Sequence, residues 1–226
     1  SERYLNKELN LHLDWNESDF EWPGIKNILS EFSNKDNLNK YPEINFLETL
    51  SLIKNYVGID IDIDIFPGSD IAHEYILRAF TNPGEKILTI NPGYSNFNVT
   101  AQSLGLDLKS ISLEEKDFKE KDSLFKKICE YSEKIELIYL VNPHSPTGHV
   151  FSQEQMKILL KKFDKTFFIL DEAYIDFCKE MSSSILIKEF SNLIITRSLS
   201  KAFSLAGSRI GFSLTNKENS MFLKKI

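Results

Sequence analysis

Lys201 has the clearest chemical potential in this chain, because its neighbours are small, apolar or hydroxyl-bearing. The surrounding segment 198–209, SLSKAFSLAGSR, contains no carboxylate that would hold an ammonium group in a local ion pair. A lysine in such surroundings can lose its proton and attack a carbonyl carbon to form a Schiff base. Ser198, Ser200 and Arg209 can donate hydrogen bonds to a phosphate, the arginine through its planar fork. The segment therefore predicts a reactive lysine beside a phosphate group.

Further segments carry residue types that a bound cofactor would need. In chain order they are Lys40-Tyr41-Pro42, Gly68-Ser69-Asp70, Asn91-Pro92-Gly93-Tyr94, Asn142-Pro143-His144-Ser145-Pro146-Thr147-Gly148 and Asp171-Glu172-Ala173-Tyr174. One short motif of this kind matches many unrelated chains. Together with the lysine segment, however, they resemble the fold-type I pyridoxal-phosphate (PLP) aminotransferases of class I and II, most closely the histidinol-phosphate aminotransferase family. The motifs stand in that family's order, from residue 41 to residue 209.

The resemblance implies PLP as the cofactor, with Lys201 binding its aldehyde carbon. Asp171 would pair with the pyridine nitrogen. It follows the apolar run 167–170, and open α/β sheets place ligands at the carboxyl ends of their strands. Tyr174 and Asn142 are implied to contact the ring hydroxyl. Without the resemblance, Asp171 would be an aspartate that starts a turn after a strand.

The phosphate of the cofactor is expected at Gly68-Ser69-Asp70, which precedes a predicted helix. The first backbone N–H groups of a helix and its dipole favour an anion. An ordinary N-cap at Ser69 or Asp70 is the alternative, and the two interpretations are compatible. The resemblance adds Tyr94, which would stack on the cofactor ring, and Tyr41, which would reach the phosphate in the neighbouring subunit. It thus implies a homodimer with shared active sites.

The composition is that of a globular chain, with 42% hydrophobic and 27% charged residues over 226 positions. A net charge of -6 argues against a nucleic-acid partner. No apolar run reaches the roughly 18 residues that span a bilayer, and residues 1–10 are too polar for a secretory signal. We therefore expect no membrane partner and a cytoplasmic location. Cys129 and Cys178 lie far apart without C-x-x-C spacing, which predicts reduced, buried thiols.

Short apolar runs alternate with amphipathic segments after about residue 45, which predicts an α/β fold of βαβ units on a mostly parallel sheet. The predicted strands are 87–90, 108–113, 137–141, 167–170, 193–196 and 210–214. The predicted helices are 46–57, 71–80, 95–104, 124–132 and 152–163, with a capping box of Ser152 and Gln155 and a stop at Gly58. The resemblance implies a three-layer αβα PLP-binding major domain with a mixed sheet over residues 41–226. An N-terminal arm over residues 1–40 would precede it.

Residues 1–40 show no clear period and are expected to be irregular. Segment 14–18, DWNES, resembles the asparagine-containing segment with which the family begins. It implies a substrate-binding role for Asn16, and a plain loop is the alternative. In the family, a small C-terminal domain follows the lysine motif and supplies an arginine for the substrate carboxylate. Since this sequence ends at Ile226, we expect that domain to be largely missing and these residues alone to bind PLP weakly.

Motifs for other chemistries are absent from the sequence. It has no G-x-G-x-x-G after a strand, no G-x-x-x-x-G-K-[ST] and no G-x-S-x-G. His144 and His149 flank a proline-rich turn, but two histidines there do not make a metal site, so no metal is predicted. His144-Ser145 stands where the family more often has two asparagines, a departure that bears on substrate choice.

Three functions fit these motifs. The first is an aminotransferase that moves an amino group between an amino acid, such as glutamate, and a small phosphorylated oxo compound. The second is a decarboxylase of a phosphorylated amino acid, which would use the same cofactor residues. The third is a non-catalytic PLP-binding module. Intact Lys201, Asp171 and Arg209 favour an enzyme, and transamination is the leading interpretation.

Overall fold

The helices and strands of this chain alternate along most of its length. A computed structural model describes residues 16–34, 39–41, 45–120 and 122–226. Its strands are β1 (Asp62–Phe66), β2 (Lys86–Asn91), β3 (Asp107–Ser112), β4 (Leu137–Val141), β5 (Phe167–Asp171), β6 (Leu193–Ser198) and β7 (Gly211–Thr215). Its α-helices are α1 (Ile25–Asn34), α2 (Leu47–Val57), α3 (Ser69–Phe80), α4 (Ser95–Ser103), α5 (Ser123–Glu130), α6 (Gln153–Lys162) and α7 (Lys217–Leu223).

The strands form one mixed sheet in the order β1-β7-β6-β5-β4-β2-β3. β7 is antiparallel to β1 and β6, and the other neighbours are parallel, which confirms the predicted α/β fold with a mostly parallel sheet. In the register of the sheet, Asp171 lies beside Val141 on one side and Thr196 on the other. The carboxyl ends of β4, β5 and β6 therefore meet at one edge.

Helices cover both faces of the sheet and confirm the three-layer arrangement. Side chains of α2, α5 and α6 pack with one set of strand residues, which includes Ile138, Leu140 and Leu170. Side chains of α3, α4 and α7 pack with the opposite set, which includes Tyr139 and Ile169. Since successive strand residues point to opposite faces, strands covered on both sides must be almost wholly apolar. This explains the continuous apolar runs in the sequence.

Local sequence signals fix several element ends as expected. The Ser152 hydroxyl accepts a hydrogen bond from the backbone N–H of Gln155 at 3.2 Å, and the Gln155 side chain accepts one from the backbone N–H of Ser152, which confirms the capping box of α6. Gly58 ends α2 with a φ of 73°, and its N–H donates to the carbonyl of Lys54.

The expectation that residues 1–40 are irregular is wrong for α1. None of the α1 side chains is buried, and Ile28, Leu29 and Phe32 are all exposed. The sequence does carry the three- and four-residue spacing of an amphipathic helix at Ile25, Ile28, Leu29 and Phe32, and the expectation overlooked it. The proposed division into an arm over residues 1–40 and a major domain over residues 41–226 stays a prediction.

The two cysteines are free, but each is only partly buried rather than fully buried as expected. Partial burial raises the pKa of both the Cys129 and the Cys178 thiol. Among the residues that the structure describes, no helix has the length and apolar character needed to cross a membrane.

Candidate active site

Asp171 ends β5 and is almost completely buried, with donors on both of its carboxylate oxygens. The Tyr139 hydroxyl donates to Oδ2 at 2.8 Å, and the backbone N–H of Ala173 donates to Oδ1 at 3.0 Å. Burial and the nearby Asp171 charge raise the pKa of Tyr139 far above its ordinary value, so the phenol keeps its proton and donates it. The carboxylate is thus fixed in one orientation at the carboxyl end of β5.

His73, from α3, also lies against this carboxylate. Its Nε2 atom is 2.9 Å from Oγ1 of Thr196 and 3.5 Å from Oδ2 of Asp171. The ring is fully buried and meets Tyr139 edge-on, with 5.3 Å between the ring centres. Burial lowers the pKa of His73, although Asp171 opposes this shift.

Lys201 lies beside Asn16 and Tyr174, two of the other predicted site residues. Its Nζ atom donates to the backbone carbonyl of Asn16 at 3.2 Å and lies 5.8 Å from the centre of the Tyr174 ring. The Asn16 side-chain amide donates to the Tyr174 hydroxyl at 2.9 Å. The N-terminal segment therefore contacts the lysine and the tyrosine over separations of 185 and 158 residues.

Two glycines bring the start of α3 against β7 and Arg209. Gly211 is paired with Phe66 in β1 and with Ser198 in β6, so three strands meet at this position. A Cβ atom on Gly211 would clash with the backbone of Gly68 and of the residue after it, and one on Gly68 would clash with the Arg209 guanidinium. The close approach of the helix start to the arginine therefore requires both glycines.

Hydroxyl groups complete this region. The Ser198 hydroxyl donates to Oγ of Ser200 at 2.8 Å and accepts from the Ser200 backbone N–H at 3.1 Å. Both residues are buried. The first N–H groups of α3 have no partner within the helix, as at any helix start. These donors, with Arg209, form an arrangement suited to a phosphate.

Asp70 joins Tyr94 to Arg209. The Tyr94 hydroxyl donates to Oδ1 of Asp70 at 2.7 Å, and Nη2 of Arg209 lies 3.9 Å from Oδ2 of the same carboxylate. Burial and the hydrogen bond to Asp70 raise the pKa of Tyr94. The tyrosine ring is partly buried at the start of α4. Its stacking on a cofactor ring stays a prediction.

Asn142 is fully buried, with its side chain directed at the backbone of Phe151. Its amide donates to the Phe151 carbonyl at 3.3 Å, and its oxygen accepts from the Phe151 N–H at 2.9 Å. Because a side-chain amide has two N–H groups, one further donor is left for the predicted ring hydroxyl. Tyr41 is fully exposed and makes no part of this cluster within the described residues.

The turn after β4 contains a chain of hydrogen bonds through Thr147. Its hydroxyl lies 2.7 Å from Nδ1 of His144 and 2.8 Å from Nδ1 of His149, and Nε2 of His149 lies 2.9 Å from the Glu120 carbonyl. Burial, followed by the influence of His149, lowers the pKa of His144 to about 4. Thr147 thus orders the turn that contains the His144-Ser145 pair.

Tyr139 and His73 are the site residues that sequence reasoning missed. Tyr139 gave one usable signal, since a tyrosine in the otherwise apolar run 137–141 needs a partner for its hydroxyl. His73 follows Asp70 by three positions and therefore shares its helix face, but nothing local shows that this face meets Asp171.

Comparisons with known proteins agree with this geometry. The chain matches the family described as Aminotransferase class I and II over residues 11–226. It is 36% identical to the dihydroxyacetone phosphate transaminase of Campylobacter jejuni over 219 residues, which cover 96% of this chain and 59% of that protein. It is 39% identical to the histidinol-phosphate aminotransferase of Buchnera aphidicola (subsp. Schizaphis graminum) over 191 residues, 83% of this chain and 53% of the relative. The chain thus spans little more than half the length of these relatives.

Solved structures share the architecture. Histidinol-phosphate aminotransferase from Sinorhizobium meliloti, solved in complex with pyridoxal-5'-phosphate, has a TM-score of 0.83 at 25% identity and covers 100% of this chain and 61% of its own. L-threonine-O-3-phosphate decarboxylase from Porphyromonas gingivalis shares the fold, with a TM-score of 0.74 at 20% identity over 91% of this chain and 63% of its own. With the family match from residue 11 to the last residue, these findings show that the chain belongs to the class I and II aminotransferases.

Proposed function

We propose that this chain is the cofactor-binding part of a PLP-dependent aminotransferase that acts on an amino acid and a small phosphorylated oxo compound. The observation that carries the proposal is the position of a buried carboxylate, a lysine and a helix start at one edge of the sheet. Asp171, Lys201 and Gly68 supply these features from β5, the segment after β6 and the start of α3.

The residues present suit PLP in polarity. Because Gly68 and Gly211 lack a Cβ atom, the start of α3 lies directly against β7 and the Arg209 guanidinium, so backbone and this arginine form the surface there. Ser198, Ser200 and Arg209 offer donors for the phosphate at that surface. Asp171 would hold the proton of the pyridine nitrogen. The charged groups therefore match the two polar ends of the cofactor.

When bound, PLP supplies an electron sink for the substrate carbon whose bond is broken. The chain's own residues have distinct tasks. Asp171 keeps a negative charge in fixed orientation, held by two donors. The Lys201 amine would hold the aldehyde carbon of the cofactor, and as a free amine it would carry a proton as general base and acid. The centre of the Tyr174 ring stands 5.8 Å from the lysine nitrogen, and its hydroxyl would contact the ring hydroxyl of the cofactor.

Visible absorbance of the purified protein with PLP tests the cofactor assignment. We expect a band that disappears in Lys201→Ala, and a band that persists there would overturn the role of this lysine.

The reaction is tested by following 2-oxoglutarate and carbon dioxide together. Stoichiometric formation of glutamate supports transamination, whereas release of carbon dioxide without consumption of an oxo acid supports the decarboxylase. If the protein binds PLP but catalyses neither reaction, the result supports a non-catalytic module.

A phosphorylated substrate is favoured by the names of the relatives, which specify histidinol phosphate and dihydroxyacetone phosphate. Both compounds carry a phosphate on a small skeleton. The test compares amino-group exchange with dihydroxyacetone phosphate and with dihydroxyacetone at equal concentration, and likewise histidinol phosphate with histidinol. We expect activity only with the phosphorylated member of a pair. Equal rates for both members would reject this substrate class.

The exposed N-terminal region supports a homodimer with shared active sites. Ile28, Leu29 and Phe32 form an exposed apolar face on α1 in the described part of the chain, and Tyr41 is fully exposed. A second copy of the chain would cover this face and receive Tyr41 in its phosphate site. Mixing Tyr41→Ala with Lys201→Ala tests the arrangement, because a hybrid dimer regains one site with both native residues. No recovery of activity on mixing would contradict shared sites.

The cytoplasmic location stays a prediction, which the two free cysteines support. Fractionation of cells that express the tagged protein tests it. Recovery with the membrane or secreted fraction would contradict the prediction.

A further inference from the structure

His73 is a buried histidine that the assigned cofactor residues leave unexplained. It lies on α3, one turn after the helix start, with only 1% of its surface exposed. Placing an imidazole in a closed interior is costly unless its polar atoms find partners. Here Nε2 points at Thr196 and Asp171, whereas Nδ1 is buried without a hydrogen-bond partner among the described residues.

The surroundings of the ring decide which nitrogen carries the proton. A carboxylate oxygen only accepts, so an unprotonated Nε2 at 3.5 Å from Oδ2 of Asp171 would place a lone pair against a negative charge. A proton on Nε2 removes this repulsion and allows donation to Oγ1 of Thr196 at 2.9 Å, with Oδ2 as the second acceptor. A doubly protonated ring would leave a charged N–H at Nδ1 buried without an acceptor from the described part of the chain. The neutral ring with its proton on Nε2 is therefore favoured.

Tyr139 and His73 approach the same oxygen of Asp171 from different elements. Tyr139 belongs to β4 and donates at 2.8 Å, and His73 approaches from α3 at 3.5 Å. The Ala173 N–H occupies the other oxygen. Asp70 and Tyr94 are the further titratable groups whose charges reach this pair. The Asp171 carboxylate is thus surrounded by donors that stabilise its negative form.

We propose that His73 is a positioning residue that, with Tyr139, holds Asp171 in the orientation and charge state needed to keep a proton on the pyridine nitrogen. This inference rests on the proposed PLP function. If the N–H of His73 is removed, the carboxylate loses a favourable dipole and competes better for that proton. The shared proton then shifts toward Asp171, and the ring becomes a weaker electron sink.

Two variants separate the donor from the bulk of the ring. His73→Gln can present an amide N–H close to the Nε2 position, whereas His73→Phe retains a ring without any donor. With holoenzyme containing ¹⁵N-labelled PLP, we expect the chemical shift of the pyridine nitrogen to move toward the unprotonated value in H73F and to return toward wild type in H73Q. PLP binding should weaken about three- to tenfold in H73F, the size expected for one ordinary hydrogen bond.

Phe97→Leu is the matched packing control. The Phe97 ring stacks on Tyr139 with 3.7 Å between centres and meets His73 edge-on, but it carries no donor. It should lower stability and leave the pyridine shift unchanged. An unchanged shift in H73F, or an equal shift in F97L, would overturn the proposal.

A measurement without cofactor distinguishes this idea from the proposed function itself. In the PLP-free protein at pH 7, ¹⁵N spectra of the imidazole groups should show His73 neutral and protonated at Nε2, with the signal assigned by its loss in H73Q. Protonation at Nδ1 would refute the positioning role even if PLP binds. Failure of the wild-type protein to bind PLP would instead reject the proposed function, and with it the role of His73 toward that cofactor.

Discussion

Arg197 and Glu172 form a buried ion pair directly beside the candidate site. Nη2 and Nε of Arg197 donate to Oε2 of Glu172 at 2.8 and 3.0 Å, and both side chains are almost fully buried. Glu172 follows Asp171 at the end of β5, and Arg197 precedes Ser198 at the end of β6. The pair thus connects the strand that supplies the carboxylate with the strand that leads to the lysine.

Loss of either charge should destabilise the protein strongly. In Glu172→Gln or Arg197→Met the remaining charge stays buried without its partner, which typically costs about 3–5 kcal/mol. The double variant should recover part of this loss. Urea unfolding measures the change, with Glu120→Gln as the control, since its exposed bridge to Lys126 should contribute less than about 1 kcal/mol. Equal effects of E172Q and E120Q would contradict the prediction.

Gly68, at the start of α3, should be needed for phosphate binding for two reasons. It adopts a backbone conformation with positive φ, and its missing Cβ atom leaves room for the Arg209 guanidinium. Gly68 and Gly84 both have strongly positive φ angles, 92° and 87°, so alanine introduces backbone strain at each, at a cost of about 1–3 kcal/mol. Only at Gly68 does the new Cβ clash with the Arg209 guanidinium, while at Gly84 it meets no atom within 4 Å. We expect Gly68→Ala to weaken PLP binding about tenfold or more.

Fluorescence or absorbance titration with PLP measures this difference, and thermal unfolding reports the strain in each variant. Gly84→Ala should retain the PLP affinity of the native protein although its own backbone strain lowers stability. If both variants bind PLP equally well, the clash with Arg209 does not affect PLP binding. The assignment of Arg209 to the phosphate then fails.

Much of the core could be predicted from the sequence, because buried strands require continuous apolar runs. β4 was predicted at its observed bounds, Leu137–Val141. β1 was not assigned as a strand, since Asp62 and Asp64 interrupt its apolar character. In the structure, Asp64 lies beneath α7, where the Ser220 hydroxyl donates to it at 3.1 Å. That partner comes from the far end of the chain and cannot be read from the local sequence.

The candidate site shows the same limit. Lys201 and Asp171 stand in motifs, so their residue types and neighbours predict that they are site residues. His73 acquires its position only because α3 packs over β6 and β7, a contact set by the tertiary fold that brings the ring to Thr196 and Asp171. The amide of Asn142, which the resemblance assigned to the ring hydroxyl of the cofactor, also forms two hydrogen bonds with the Phe151 backbone. Residues that support a site from other helices or strands can therefore be identified only from the three-dimensional structure.

His144 should make stability depend on pH in the mildly acidic range. Burial lowers its pKa from 6.5 to about 4, so the unfolded chain binds more protons than the native protein between these values. Stability is therefore fully present above about pH 6.5 and falls as the pH decreases toward 4. The full effect is on the order of 3 kcal/mol.

His144→Asn tests this, because the amide can still donate to Thr147 but does not titrate. The free energy of unfolding, measured in urea at about pH 4.5 and about pH 7.5, should differ less between the two pH values in the variant than in the native protein. Burial lowers the pKa of His73 as well, so part of the pH dependence should survive in H144N. An unchanged difference would show that His144 is not responsible.

The hydrogen bond between Asn16 and Tyr174 should matter for substrate binding rather than for folding. Asn16 has a φ of 50°, which glycine tolerates, so Asn16→Gly removes the amide and keeps the backbone carbonyl that Lys201 contacts. Tyr174→Phe removes the acceptor of the same bond. If the bond orders the substrate side of the site, each change should raise KM about tenfold.

The double variant provides the decisive comparison. Two residues that act through one hydrogen bond give a combined effect smaller than the sum of the separate free-energy changes, whereas independent residues give the full sum. Ser18→Ala is the control, since the Ser18 hydroxyl bonds to Phe20 within the same loop, and it should leave KM unchanged. Additive effects of N16G and Y174F would mean that Asn16 acts only within its own loop and not through its hydrogen bond to Tyr174. A sub-additive rise in KM with unchanged unfolding would place Asn16 at the substrate.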